Sequence, residues 1–164
     1  MNGDMSKTHL LTLIERDRAH WETLLGSIPE AWMTEPGVGV EGQWSIKDII
    51  AHIAWGEREN LGVVHARAVV GSELWQLSED ERNAVVFEQN RGRELGDVRA
   101  DSRRIFGLYL EAVAALTEED LNDPSRFAQM PEGWRPWRIL YDPGHYQGHA
   151  DSIRAWLGRR ESTP

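Results

Sequence analysis

The chain has 164 residues, 40% of them hydrophobic and 27% charged, a balance that suits one domain over residues 1–164 and excludes intrinsic disorder. Its formal net charge of −9 and pI near 5.1 would repel a phosphate backbone, so nucleic acid is not expected as a partner. The absence of cysteine excludes disulfides and thiolate metal sites and agrees with a reducing compartment.

No apolar run approaches the roughly 18 residues needed to span a bilayer, and residues 1–7 lack the apolar core of a signal peptide. The expectation is therefore a cytoplasmic protein with no membrane partner. The basic clusters Arg91/Arg93, Arg103/Arg104 and Arg159/Arg160 are diluted by nearby acids and read as solvated helix faces.

Ser6 can cap a first helix running to about Leu25, in which Leu10, Leu13, Ile14, Trp21, Leu24 and Leu25 recur at helical spacing. Pro29, Pro36 and three glycines then mark a long, flexible loop through Gln43. Ser45 is an N-cap with Asp48 at the capping-box position, and Trp44 and Ile49 form a hydrophobic staple. The second helix carries Ile46, Ile49, Ile50, Ile53 and Val64 inward, with Gly71 as its stop. A third stretch starts after Ser78, breaks at residues 92–96 and resumes after Asp97; Asp123-Pro124 closes that arm. The last helix spans about 136–158, with Asp142-Pro143 forcing a kink or a fresh start. Four helical arms without period-two alternation predict an all-α, four-helix bundle with a long connection between the first two helices.

His145 and His149 are four apart, so both imidazoles leave one face of the last helix, where they can share a metal ion. His52, on the second helix, is the natural third ligand, and three neutral histidines leave coordination positions open. Spacing alone leaves two readings: a metal centre, or a pair that arose by chance. His149 favours the first by falling on the inward stripe of its helix, whereas His52 sits on the flank of the isoleucine stripe.

Glu57 falls near the centre of that stripe and needs a partner: it is either a general base at the site or one half of an ion pair, with Arg104 or Arg154 as candidates. Asp48 is one turn before His52 and could orient its ring, although capping already explains it. His9, His20 and His65 have no partner at ligand spacing, and Trp55, Trp134 and Trp137 are candidates for a pocket mouth. Residues 37–42 match GxGxxG without the strand a dinucleotide site requires, and residues 145–149 lack the glutamate of HExxH.

The segments Trp44-Ser45-Ile46-Lys47-Asp48-Ile49-Ile50-Ala51-His52 and His145-Tyr146-Gln147-Gly148-His149 resemble two signatures of the DinB/YfiT-like superfamily of four-helix bundles. Asn90-Arg91 and Leu116-Thr117-Glu118-Glu119-Asp120-Leu121 look like the middle region of its ClbS/DfsB-like branch. The resemblance implies that His52, His145 and His149 hold a divalent transition metal, nickel or zinc, in a homodimer acting on a small-molecule substrate. It implies a hydrolase or a thiol-dependent transferase. Its alternatives are a metal-independent ClbS-like hydrolase or sequestering protein, and a non-catalytic dimeric interaction module. Pro143-Gly144 ahead of His145 departs from a continuous last helix.

Overall fold

The structure, a computed structural model, describes residues 3–39 and 42–161. Four long helices form the frame: α1 (Lys7–Gly26), α2 (Ile46–Ala66), α4 (Leu95–Ala114) and α7 (His145–Glu161). They pack in a ring, α2 against α4, α4 against α1, α1 against α7 and α7 against α2. The shorter α3 (Glu79–Asn90) lies on α2, and α5 (Glu118–Asn122) packs against α6 (Pro136–Leu140). Among the described residues there is no strand, only isolated bridges between Val38 and Trp44 and between Ala68 and Ala128. No helix among them is long and apolar enough to cross a membrane.

The helix starts follow their caps. Ser6 accepts from the His9 N–H, while Ser45/Asp48, Ser78/Glu81 and Thr117/Asp120 each close a capping box. Lys47, though buried, is satisfied: its ammonium donates to the carbonyls of Asn90, Arg91 and Arg93, and so ties the start of α2 to the α3–α4 turn.

Several boundaries differ from expectation. α2 stops at Ala66, not near Gly71, because Arg67 turns left-handed (φ 50°) and the chain leaves to bond the segment around Ala128. α4 begins at Leu95, so Asp97 lies in its first turn, where a carboxylate suits the helix dipole. The last arm is two helices: residues 141–144 break it, with the Asp142 carboxylate accepting from the Gly144 N–H at 2.8 Å, and α7 starts afresh at His145. The connection read as flexible is instead packed onto the bundle. Ile28, Met33 and Val38 are buried, and the N–H groups of Gly37 and Val38 both donate to the Trp44 carbonyl. Gly37 has φ +125°, and a Cβ there would stand 2.8 Å from Trp156 Nε1.

The apolar interior falls into two clusters. One gathers Trp21, Leu25, Trp44, Ile49, Ile53, Val98, Ile153 and Trp156; the other gathers Leu10, Ile14, Val63, Val64, Tyr109, Val113 and Leu140. Between them, all four frame helices contribute polar side chains: Arg18 and its ion-pair partner Glu22 from α1, Glu57 from α2, Ser102 from α4 and Tyr146 from α7. Arg18 donates to Tyr146 Oη and to Ser102 Oγ, both at 3.2 Å, and stands 3.6 Å from the Glu57 carboxylate. The Tyr146 hydroxyl donates to Glu57. A buried charge is tolerable only when partnered, and this layer supplies the partners from all four helices.

Candidate metal centre

The capping box at Ser45 fixes where α2 begins and so which side of it His52 leaves from. The break at Asp142–Gly144 places His145 in the first turn of α7, with His149 one turn on. The three imidazoles meet: a ligand nitrogen from each lies within 4.8 Å of the others, and His52 Nε2 stands 3.3 Å from His145 Nε2. The ring centroids are 5.0 to 5.4 Å apart and the rings meet edge to face, so none stacks over another's nitrogen.

Burial settles the protonation. It pushes the His52 pKa down to about 3, reinforced by the neighbouring His149, His145 and Arg82. It pushes His149 down to about 4, with His145 adding to the effect, and lowers His145 despite the opposing charge of Asp142. All three rings are neutral at pH 7, so each keeps a lone pair to offer. Two nitrogens held about 2.0–2.1 Å from one tetrahedral ion stand roughly 3.4 Å apart, close to the spacing of His52 and His145. The donor set therefore fits a divalent ion with one or more positions left for water or substrate.

On the side away from His145, aromatic packing and not a hydrogen bond at Nδ1 orients His52. Its ring lies 5.4 Å from Trp44 and 6.1 Å from Trp55, and its buried Nδ1 has no partner. Asp48 does not orient it: its Oδ2 accepts from the Ser45 N–H and hydroxyl, its Oδ1 stands 3.8 Å from Lys47 Nζ, and His52 Nδ1 bonds neither. Gly56 makes room for His145: a Cβ at Gly56 would stand 3.3 Å from His145 Cε1.

Two clefts flank His145 and share Trp55, Arg82 and Asp142. One, of about 500 Å³, is walled by Trp44 and the three histidines; the other, of about 330 Å³, by Glu57, Tyr109 and Tyr146. Of the tryptophans expected at a pocket mouth, Trp55 is there. Trp134 and Trp137 line a separate cavity of about 760 Å³ near Met5 and Arg138. His9, His20 and His65 are exposed, away from the centre.

Glu57 is buried but pairs with neither Arg104 nor Arg154, which bind Asp101 and Asp151 one turn away on their own helices. Its partners are Arg18 and Tyr146. Burial raises its pKa to about 7, against the opposing effects of the Arg18 charge and the Tyr146 hydrogen bond. It shares a cleft with His145, and its hydrogen-bond partner Tyr146 is the residue after His145. The sequence reading missed Arg18, Ser102, Gly56 and Arg82, and named Tyr146 only within the segment 145–149. Arg18 and Ser102 carried a signal, since each interrupts an apolar stripe at helical spacing, between Ile14 and Trp21 and between Val98 and Ile105.

The model of the DinB superfamily matches residues 13–151. An uncharacterised protein from Escherichia coli UTI89 shares the fold at a TM-score of 0.79 and 11% identity, over 95% of both chains. A Streptococcus pneumoniae protein does so at 0.74 and 14%, over 95% of this chain and 92% of its own. No curated protein matches the sequence. With a family model covering most of its length and an all-helical bundle around the three histidines, the chain belongs to the DinB superfamily.

Proposed function

We propose that the protein is a metal-dependent enzyme acting on a small molecule, with His52, His145 and His149 as the ligands of a divalent transition metal, nickel or zinc. The observation that carries this reading is the convergence of three neutral, half-buried imidazoles at the meeting of two clefts. When bound, the ion supplies Lewis acidity that brings a coordinated water or thiol toward its anionic form near neutral pH. The reaction class is accordingly hydrolysis or thiol-dependent transfer. The chain's own residues bind and orient. Trp44 and Trp55 hold the His52 ring, Gly56 lets His145 approach, and Glu57, at a pKa of about 7, accepts or returns a proton as general base. We place this enzyme in the cytoplasm, as a homodimer, on the strength of its cysteine-free composition and its family.

The test is metal content in protein purified without a histidine tag, for wild type and for His52→Ala, His145→Ala and His149→Ala. Near-stoichiometric metal in wild type and its loss in each variant are expected. A wild type that is metal-free and takes up neither added zinc nor added nickel refutes the reading. One observation favours a second reading, a metal-independent hydrolase or sequestering protein of the ClbS/DfsB-like kind: Glu57 borders a cleft beside His145 with a pKa that burial raises. Activity that survives both a chelator and the triple histidine substitution would select it.

A further inference from the structure

Arg82 stands out among the arginines. Arg16, Arg18, Arg58, Arg93, Arg103 and Arg104 each pair with a carboxylate. Arg82, on the first turn of α3, pairs with none among the described residues. Its guanidinium lies over the Trp55 ring at 5.6 Å, and its Nε is buried without a hydrogen-bond partner. It borders both clefts beside His145, and its charge bears on His52. Glu79 and Asp142 line the same cleft, yet neither forms an ion pair with it; the Asp142 carboxylate is engaged by the Gly144 N–H. The next residue, Asn83, also borders the cleft, and its buried Oδ1 lacks a partner.

The clefts also carry carboxylates, Asp17, Glu57, Glu59 and Asp142 in one and Glu79 and Asp142 in the other, but among the described residues none pairs with Arg82, whose charge therefore stays available to an anion. Imidazole ligates a metal as the neutral ring, so an ion held by three of them keeps its positive charge, and Arg82 adds a second cation on the same cleft. Two positive centres facing one cavity repel each other when it holds only water, and attract an oxyanion that lies between them. Guanidinium is suited to that role. It is permanently charged and forks onto two oxygens of a carboxylate or phosphate, while the Trp55 face holds it flat.

We propose that Arg82, with Asn83 beside it, binds an oxyanion group of the substrate, a carboxylate or a phosphoryl group, and holds it against the three-histidine centre. This assignment rests on the metal reading above and adds the substrate's chemical class. The body of such a substrate lies along Trp55 toward Tyr109 and Tyr146, in the second cleft, which mixes aromatic and aliphatic side chains with charged ones. Arg82 is thus a specificity-determining residue.

The test is calorimetric titration of benzoate and, separately, of inorganic phosphate into wild type, Arg82→Gln and Arg82→Lys. Each protein is used both zinc-free and zinc-loaded, with circular dichroism to confirm folding. Wild type is expected to bind one of the two probes, more tightly with zinc present. Arg82→Gln should lose at least tenfold in that affinity in both forms while holding zinc as well as wild type or better, and Arg82→Lys should fall between. Tighter benzoate binding assigns a carboxylate, and tighter phosphate binding a phosphoryl group. Equal affinities in wild type and Arg82→Gln, or no binding of either probe, overturn the proposal. A wild type that takes up no zinc defeats the metal reading instead, and the zinc-free titration still decides Arg82.

Discussion

Glu57→Gln is the sharpest probe of the buried polar layer, because the amide keeps the shape and hydrogen bonding of a neutral carboxyl and never ionises. The Glu57 pKa is raised from 4.5 to about 7 by burial, which outweighs the Arg18 charge 3.6 Å away and the Tyr146 hydroxyl. Below pH 4.5 the folded and unfolded chains both carry the proton, and the substitution makes a constant difference. Between pH 4.5 and 7 the unfolded chain releases the proton while the folded one retains it. The unfolded state is therefore favoured progressively as pH rises. At about 1.36 kcal/mol for each pH unit crossed, wild type loses about 3 kcal/mol by pH 7, after which the loss levels off. Urea unfolding of both proteins at half-unit steps from about pH 4 to 8 would measure it, since the difference between them cancels every other titrating group. The variant should gain about 3 kcal/mol relative to wild type across that range. A flat difference, or wild type gaining on the variant as pH rises, would mean that Arg18 and Tyr146 outweigh burial and would refute a raised Glu57 pKa.

Gly56→Ala should lower metal affinity by about tenfold, as losses of supporting structure around a metal site commonly do, because its Cβ would press on His145 Cε1 from 3.3 Å. Competition with a chromophoric chelator reads this directly, and unchanged affinity would show that His145 moves freely. Gly37→Ala combines a φ of +125° with a contact of 2.8 Å to Trp156 Nε1, and should cost about 1–3 kcal/mol in urea unfolding. Ser45→Ala removes one half of the α2 capping box and should cost about 1 kcal/mol, read as a fall in Tm of a few degrees.

The sequence was most legible where local chemistry acts alone. Ser6, Ser45 and Ser78 cap helices where their residue types place them, and Asp142-Pro143 breaks the last arm. His145 and His149 followed from one helix's periodicity, whereas His52, though the natural third ligand, argued weakly from the flank of its stripe until the family's signature supported it. Flank placement makes physical sense: His52 faces α7 and Trp44 across a seam, not the centre of the apolar core. What stayed hidden depends on which helix lies beside which. Glu57 was rightly singled out as a buried acid, but its partner Arg18 lies 39 positions upstream on α1, and only the ring order of the helices brings them together. The end of α2 was missed for a similar reason: pairing of Arg67 and Val69 with Ala128, far along the chain, decides it.

The meeting of His52 and His145 has a mechanical side. They are 93 residues apart in sequence and stand 3.3 Å apart in space, on α2 and α7. An ion shared between them would work as a crosslink in a chain that has no cysteine with which to build one. Its strength would follow concentration: at about one hundred times the dissociation constant, binding to the folded state alone adds about 2.7 kcal/mol. Stripping the ion would then loosen the seam between α2 and α7 first, because that is where the ligands lie. Amides of the first turns of α7 should exchange faster in chelator while those between α2 and α4 stay protected, so occupancy of the site could be read from the stability of a single seam.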